Sequence, residues 1–295
     1  MKKTTLFSAL FILITLTFFS CDEQGDSISE KELSESVSAL DLDSEAAIES
    51  GFEDVDMVAE AGFDLLDIDA SAGSRVAGPF RDRRDLVLDC ATITKDTVNH
   101  IITIDFGDGC EGPHGVVRKG KIIITYSGNR HEYGATRTVT LEDFYVDSLH
   151  VEGTRVFENL TTQDSPGRVI KITMTGGKIT FPDGTFATRD AEHIRTRILG
   201  ETEDDDRAEV TGDASGVRRD GQQYTITIVE TLIFKRVCWE INHGVAVAGV
   251  IEIVIGDKVA EVDFGDGTCD NEVTVTIDGE TTTRTIDPRG RRLRR

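Results

Sequence analysis

From about Leu86 onward the chain alternates apolar and polar residues with a period of two. Ile102, Ile104 and Phe106 alternate with Thr103 and Asp105, and Ile170, Ile172 and Met174 with Lys171, Thr173 and Thr175. Tyr224, Ile226 and Ile228 follow the same rule, as do Val273, Val275 and Ile277. Successive side chains of a strand point to opposite faces, so this spacing predicts half-buried antiparallel strands, apolar on one face and threonine-rich or charged on the other. Turn signals separate the runs: Gly107 to Gly109, Ser127-Gly128-Asn129, Gly176-Gly177, Pro182-Asp183-Gly184, Asp220-Gly221, Gly256-Asp257 and Asp278-Gly279. Roughly a dozen strands joined mostly by hairpins are expected. The fold class read from this pattern is all-β: an antiparallel meander forming a large sandwich or rolled sheet over residues 79–288.

Within that region one string occurs twice. Asp105-Phe106-Gly107-Asp108-Gly109-Cys110 returns as Asp263-Phe264-Gly265-Asp266-Gly267-Thr268-Cys269. Each copy follows a mostly apolar run, and each is preceded by one further cysteine, Cys90 or Cys238. The glycines permit positive φ where a strand stops and reverses. The first aspartate falls on the polar face beside an inward phenylalanine, and the second is placed to bond its own backbone. This structural reading needs no ligand. The competing reading gathers Asp105 and Asp108, or Asp263, Asp266 and Asp270, around Ca2+, which takes roughly six to eight oxygens.

The N-terminus carries an export signal. Lys2 and Lys3 precede the apolar run Leu6 to Phe19, which is shorter than the about 20 residues a permanent membrane helix needs. Ser20-Cys21 closes it and resembles the lipobox of bacterial lipoproteins, in which the cysteine is acylated and the chain cut just before it; Phe18 stands where Leu, Val or Ile is usual. Residues 1–20 are thus expected as signal peptide and Cys21 as the lipidation site. Of the 5 cysteines four then remain, an even number suited to an oxidising compartment. Three connectivities are possible. The local one, Cys90–Cys110 and Cys238–Cys269, closes each half-repeat on itself, and a loop of about 20 residues contributes about 3 kcal/mol on the chain-entropy account. A zinc site of the four cysteines lacks the usual Cys-x-x-Cys spacing.

Between Cys21 and the β region the chain is strongly acidic. Asp22 to Arg75 hold 17 acids against two bases, Lys31 and Arg75. Residues 21–43 are read as a flexible acidic spacer. Residues 44–78 are read as one short helix and a linker. Ile48, Phe52, Val55, Ala59 and Leu66 recur on one helix face, Ser44 is a candidate N-cap, and the stripe is expected to pack on the domain. Gly51 and Gly62 each weaken such a helix by about 1 kcal/mol relative to Ala. The acids at Glu201, Glu203, Asp204, Asp205 and Asp206 are read as a solvated loop, and residues 289–295 as a basic tail.

Two resemblances meet at the repeated turns. Asp-Phe-Gly-Asp-Gly-Thr is similar to the signature of PKD domains, extracellular β-sandwich modules, although Ile104 and Val262 replace the usual tryptophan and the later His-x-Tyr is absent. A broader resemblance joins Asp105 to Gly109, Gly115 to Ile122, Phe144-Tyr145-Val146, Val151 to Thr154 and Asp263 to Asn271. These resemble a set of functionally uncharacterised lipoproteins of Bacteroidota-type bacteria. That resemblance implies export, a lipid anchor in the cell envelope at the outer membrane, facing the periplasm or the exterior, and an all-β domain. It brings no catalytic residues.

The formal net charge of −22 argues against nucleic acid as a partner. The 6 histidines form no His-Glu-x-x-His, and no serine lies in Gly-x-Ser-x-Gly. Acid pairs such as Glu142-Asp143 are consistent with glycosidase chemistry only if they converge in space. The reading is a membrane-tethered, non-catalytic binding or scaffolding protein without cofactor, its partner a polysaccharide or an envelope protein. The alternatives are an envelope glycan hydrolase using paired carboxylates and a Ca2+-dependent adhesin.

Overall fold

The computed structural model describes residues 42–70, 87–112, 115–238 and 245–286. Cys21, residues 1–20 expected as signal peptide, residues 22–41 of the expected spacer and residues 289–295 lie outside the described residues, and residues 42 and 43, expected in the spacer, belong to the helix. One helix, α1 (Leu42–Ala70), precedes fourteen strands. These are β1 (Thr92–Asp96), β2 (Ile101–Asp105), β3 (Cys110–Glu111), β4 (Val117–Tyr126), β5 (Thr136–Val146), β6 (Leu149–Asn159) and β7 (Arg168–Thr180). They continue as β8 (Phe186–Ile198), β9 (Arg207–Val217), β10 (Gln223–Lys235), β11 (Ala248–Ile255), β12 (Lys258–Asp266), β13 (Glu272–Ile277) and β14 (Glu280–Thr285). All belong to one sheet in simple sequence order, with the two-residue β3 flanking β4 beside β2. Every pairing is antiparallel. The β1 and β14 edges do not pair with each other, so the sheet is rolled but open. Of the sandwich and the rolled sheet, the chain forms the second.

The alternation sets the two faces as its period requires. Ile102, Ile104, Phe106, Ile172, Met174, Tyr224, Val273, Val275 and Ile277 are buried on the concave face. Ile122, Ile124, Val139, Phe144 and Val151 fill the concave face between them. One core lies under α1 and spans β2 to β8; a second joins Tyr224 to Ile253, Val262, Val275 and Ile286. Most expected turns are hairpin turns here. Gly176-Gly177 is the exception: it lies inside the thirteen-residue β7, where the register with β8 shifts between Met174 and Gly177. A glycine pair read as a reversal is a bulge instead.

That bulge is one of four in adjoining strand pairs. The register also shifts at Gly120 between β4 and β5, between Thr140 and Phe144 of β5 against β6, and at Gly153 between β6 and β7. A Cβ on Gly120, at φ 82°, would come within 2.0 Å of the Asp143 carbonyl oxygen. Bulges bend their strands and sharpen the right-handed twist. Four in succession form a crease along which the sheet curls around the helix.

The helix is longer than the sequence suggests. It has 29 residues, about 43 Å at 1.5 Å per residue, and Ser44 lies inside it rather than capping it. Ile48, Phe52, Val55 and Ala59 are buried as expected, joined by Val58, Ala61 and Phe63; the side chain of Leu66 lies outside the described residues. Of residues 48–64 only Met57 is exposed, so the helix is enclosed on nearly every side. The two glycines have a steric reason. A Cβ on Gly62 would come 2.5 Å from Ile104 Cδ1, and one on Gly51 2.8 Å from Ile179 Cδ1. Both mark places where the helix backbone approaches the sheet floor too closely for a side chain. Phe52 faces the crease, with its ring tip 3.1 Å from where a Cβ on Gly177 would sit.

We expect Gly62→Val to destabilise the fold by about 1–3 kcal/mol, because the added methyls must push aside the fully buried Ile104. A change within 0.5 kcal/mol in urea unfolding would show that α1 does not lie in close contact at this point.

Candidate functional site: an acidic helix in an arginine-lined trough

The concave face carries arginines at positions that its period reserves for apolar residues. Arg118 lies on β4, Arg137 on β5, Arg155 on β6, Arg168 on β7, and Arg189, Arg195 and Arg197 on β8. Arg130 joins them from the loop before β5. The acids of α1 are set against them. Arg118, only 2% exposed, donates Nε to Asp54 Oδ2 at 2.8 Å and Nη2 to Asp54 Oδ1 at 2.5 Å. Arg155 Nε lies 2.8 Å from Asp56 Oδ1, and Arg189 Nη1 donates to Glu49 at 2.5 Å. Arg130 meets Asp64 at 2.6 Å. Glu60 is shared by Arg137, Arg130 and Arg168, the last two at 3.5 Å.

The guanidinium groups also lie over aromatic rings. Arg137 sits 4.5 Å from the Phe157 ring centroid and 5.5 Å from that of Phe63, and Arg155 5.9 Å from that of Phe52. Arginine suits such a place because its planar, weakly hydrated group can bridge a carboxylate and lie over a ring at once. At the border of the two cores Arg189 Nε donates to Tyr224 Oη at 3.0 Å, and Tyr224 Oη donates to the Thr188 carbonyl at 3.2 Å. A small cavity of about 10 Å³ beside Phe52, Val55, Arg155 and Met174 has room for about one water.

Burial and charge divide the helix acids into two groups. Burial raises the Glu60 carboxyl, but Arg137, Arg168 and Arg130 outweigh it and hold Glu60 down to about 2. Burial likewise opposes ionisation of Glu49, and Arg189 foremost overcomes it, so Glu49 lies below the usual range. Asp56 is raised because burial outweighs the pull of Arg155, Arg195 and Arg137. Glu53 is pushed up to about 8 by burial and by the neighbouring Glu49, which Arg195 only partly offsets. At neutral pH Glu53 therefore carries a proton. His193, across the trough on β8, is shifted down by burial, against the pull of Glu49, and by repulsion from Arg189, Arg155 and Arg195.

The residues singled out by sequence lie mostly at the ends of strands, although the buried Cys110 on β3 stands directly opposite Arg118 on β4. Cys90–Cys110 and Cys238–Cys269 are paired at disulfide distance, with Cα atoms 5.8 and 5.0 Å apart. Their loops span 20 and 31 residues, each contributing about 3–4 kcal/mol on the chain-entropy account. The two Asp-Phe-Gly-Asp-Gly strings share one device. Asp105 Oδ1 accepts from Gly107 N and Asp263 Oδ1 from Gly265 N, both at 2.8 Å. The first aspartate, not the second, thus makes the turn common to both. They differ afterwards. β2 ends at Asp105, whereas β12 runs on to Asp266, whose carboxylate accepts from Thr268 N and Oγ1 and is held low by them. Asp108 is exposed. Among the described residues no group of three or more His, Cys, Asp or Glu side chains converges as a metal site. In the acidic loop Asp205 caps Thr202, and the buried Asp206 accepts from Gly200 N and lies near Arg236 and Arg197.

The arginines were the missed signal, although it stands in the sequence. Arg155 falls between Gly153 and Phe157, and Arg189 between Ala187 and Ala191, each in phase with the inward set. A cation at a core position of a regular strand calls for a buried anion, and α1 holds the matching acids. The chain matches no protein-family model, no curated protein and no solved structure.

Arg118→Met leaves Asp54 buried without its cation, for which we expect a loss of about 3–5 kcal/mol in urea unfolding. Adding Asp54→Leu should restore most of it; a double variant as unstable as the single one would show that the ion pair is not what Arg118 provides.

A second expectation concerns pH. The folded carboxyl of Glu53 is raised, so its contribution is full below about 4.5 and is lost as pH rises through about 8. The contribution of Glu60 has the opposite sign, present above about 4.5 and lost as pH falls through about 2. Docking of α1 is thus favoured most at mildly acidic pH. Glu53→Gln should match the parent below pH 5 and exceed it at pH 9 by on the order of 3 kcal/mol. Parallel stability curves from pH 5 to pH 9 would contradict the assignment.

Proposed function

We propose that the chain is a lipid-anchored, non-catalytic binding or scaffolding protein of the cell envelope, held through Cys21 and facing the periplasm or the exterior. The observation that carries the binding role is the open sheet itself: a long concave trough and a broad convex face, both decorated for contact. On the convex side Thr140, Thr154 and Thr175 are direct cross-strand neighbours, a line of hydroxyls suited to a polysaccharide or protein surface. The lipobox-like end of the signal and the two cysteine pairs at disulfide distance support an exported location. The net charge of −22 speaks against nucleic acid.

One observation favours glycan hydrolysis instead. Glu53, protonated at neutral pH, lies one helical turn from the ionised Glu49, and acid and base roles commonly fall to carboxyls whose pKa values are pushed apart. Against it, both project from one helix. A glycosidase needs its two carboxyls to flank the bond across a cleft. The wide depression of about 380 Å³ at Thr140, Asp143, His150 and Glu152 contains neither.

Two measurements test the proposal together. A palmitate analogue should label the parent chain in cells and fail to label Cys21→Ala; equal labelling would refute the anchor. The purified chain should release no reducing ends from envelope glycans. Release that Glu53→Gln abolishes would establish the hydrolase in place of the binding protein.

A further inference from the structure

The concave face does not end where α1 ends its coverage. Across β7, β8, β9 and β10 the register continues it in rows. Arg168 pairs with Arg197, which pairs with Ala208 and so reaches Phe234; Arg195 pairs with Val210, which pairs with Leu232. Three arginines thus cluster on two neighbouring strands, two of them directly opposite each other, where like charges repel. Arg168 is drawn to Glu60 at 3.5 Å, and Arg197 to Asp206 at 3.9 Å. Arg195, half-buried between them and the helix, makes no ion pair or hydrogen bond among the described residues.

Arg195 acts electrostatically on Asp56, Glu49 and Glu53 of α1. Asp56 is in contact with Arg155 and Glu49 with Arg189. Glu53 carries a proton at neutral pH and offers no countercharge. A guanidinium with five donors is therefore partly desolvated and, although the α1 carboxyls act on it from a distance, makes no direct hydrogen bond or ion pair among the described residues. On its far side the strip is apolar, with Leu232 and Phe234 half-buried on β10.

We propose that this strip is a binding site for an anionic amphiphile. Its carboxylate or phosphate head is taken by Arg195, with Arg168 and Arg197 beside it, and its hydrocarbon part lies along Leu232 and Phe234. A planar guanidinium binds either head group with two parallel hydrogen bonds. The apolar strip rewards burial of the chain at about 25 cal/mol per Å². The site gives the binding role a ligand class and rests on that role.

The test is calorimetric titration of the full mature chain with decanoate, decyl phosphate and decanol below their aggregation limits. Decanoate or decyl phosphate, or both, should bind saturably, and the preferred head group separates a fatty acid source from a phospholipid one. Decanol should bind at least tenfold more weakly. Arg195→Gln should weaken the anion at least tenfold, and Arg195→Lys, which keeps the charge, should recover part of it. Thermal unfolding of Arg195→Lys should stay close to the parent, since the charge that acts on the α1 carboxyls is kept and no direct ion pair or hydrogen bond among the described residues is lost. Absence of saturable binding, decanol equal to decanoate, or unchanged affinity in Arg195→Gln would overturn the site. Each of these leaves the labelling of Cys21 and the glycan assay untouched, so failure here is distinct from failure of the broader role.

Discussion

The structure depends on one charge relationship: a strongly acidic helix lies inside a sheet whose concave face is lined with arginine. Each part carries a cost that the other offsets. Arg118 and Arg155 are nearly inaccessible to water, and an unpaired guanidinium there would lose several kcal/mol of hydration. The acids of α1 would repel one another on an isolated helix. Brought together, each offsets part of the penalty of the other, while Phe52, Val55 and Phe63 add apolar contact. Ion pairs of this kind contribute less to net stability than to uniqueness of placement. Asp54, Asp56 and Glu60 face different strands, and a slide of one turn would set Val58 or Ser50 against Arg118 in place of Asp54.

The same arrangement explains the shape of the sheet. A flat antiparallel meander would meet a helix along a narrow line. The crease through Gly120, Gly153 and Gly177 lets β4 to β8 fold over α1, so that arginines from five strands reach one helix. The glycines of the helix and those of the sheet serve a single purpose, close approach of two backbones. Where the crease ends, the concave surface opens, and its residues are left with fewer partners.

Much of the architecture was legible in the sequence. The period-two pattern placed Ile102, Ile104, Met174 and Val275 on the inner face, and the repeated cysteine order indicated pairs that the structure brings within disulfide distance. What was not legible has a common cause: it depends on contacts between distant segments. Gly176-Gly177 is chemically indistinguishable from a turn until its neighbours in β8 are known. Gly51 and Gly62 look like helix defects until Ile179 and Ile104 are seen above them. Glu49, Asp54, Asp56, Glu60 and Asp64 look like solvated surface because their cations lie 64 to 140 positions away. Charge in a chain is read locally, and here it is neutralised remotely.

Those separations also prescribe an order of assembly. Each strand from β4 to β14 contacts its sequence neighbour, so hairpins can form as soon as they are made, with little loop entropy to overcome. The helix cannot complete its ion pairs until Arg189 exists, 140 residues after Glu49. During synthesis α1 is made first, while the last of its cationic partners is made only with β8. Refolding should accordingly show two events, a fast formation of the meander and a slower closure of the helix into it. Accelerating the first should not accelerate the second. The late step is also where a chaperone that recognises exposed cationic grooves would act.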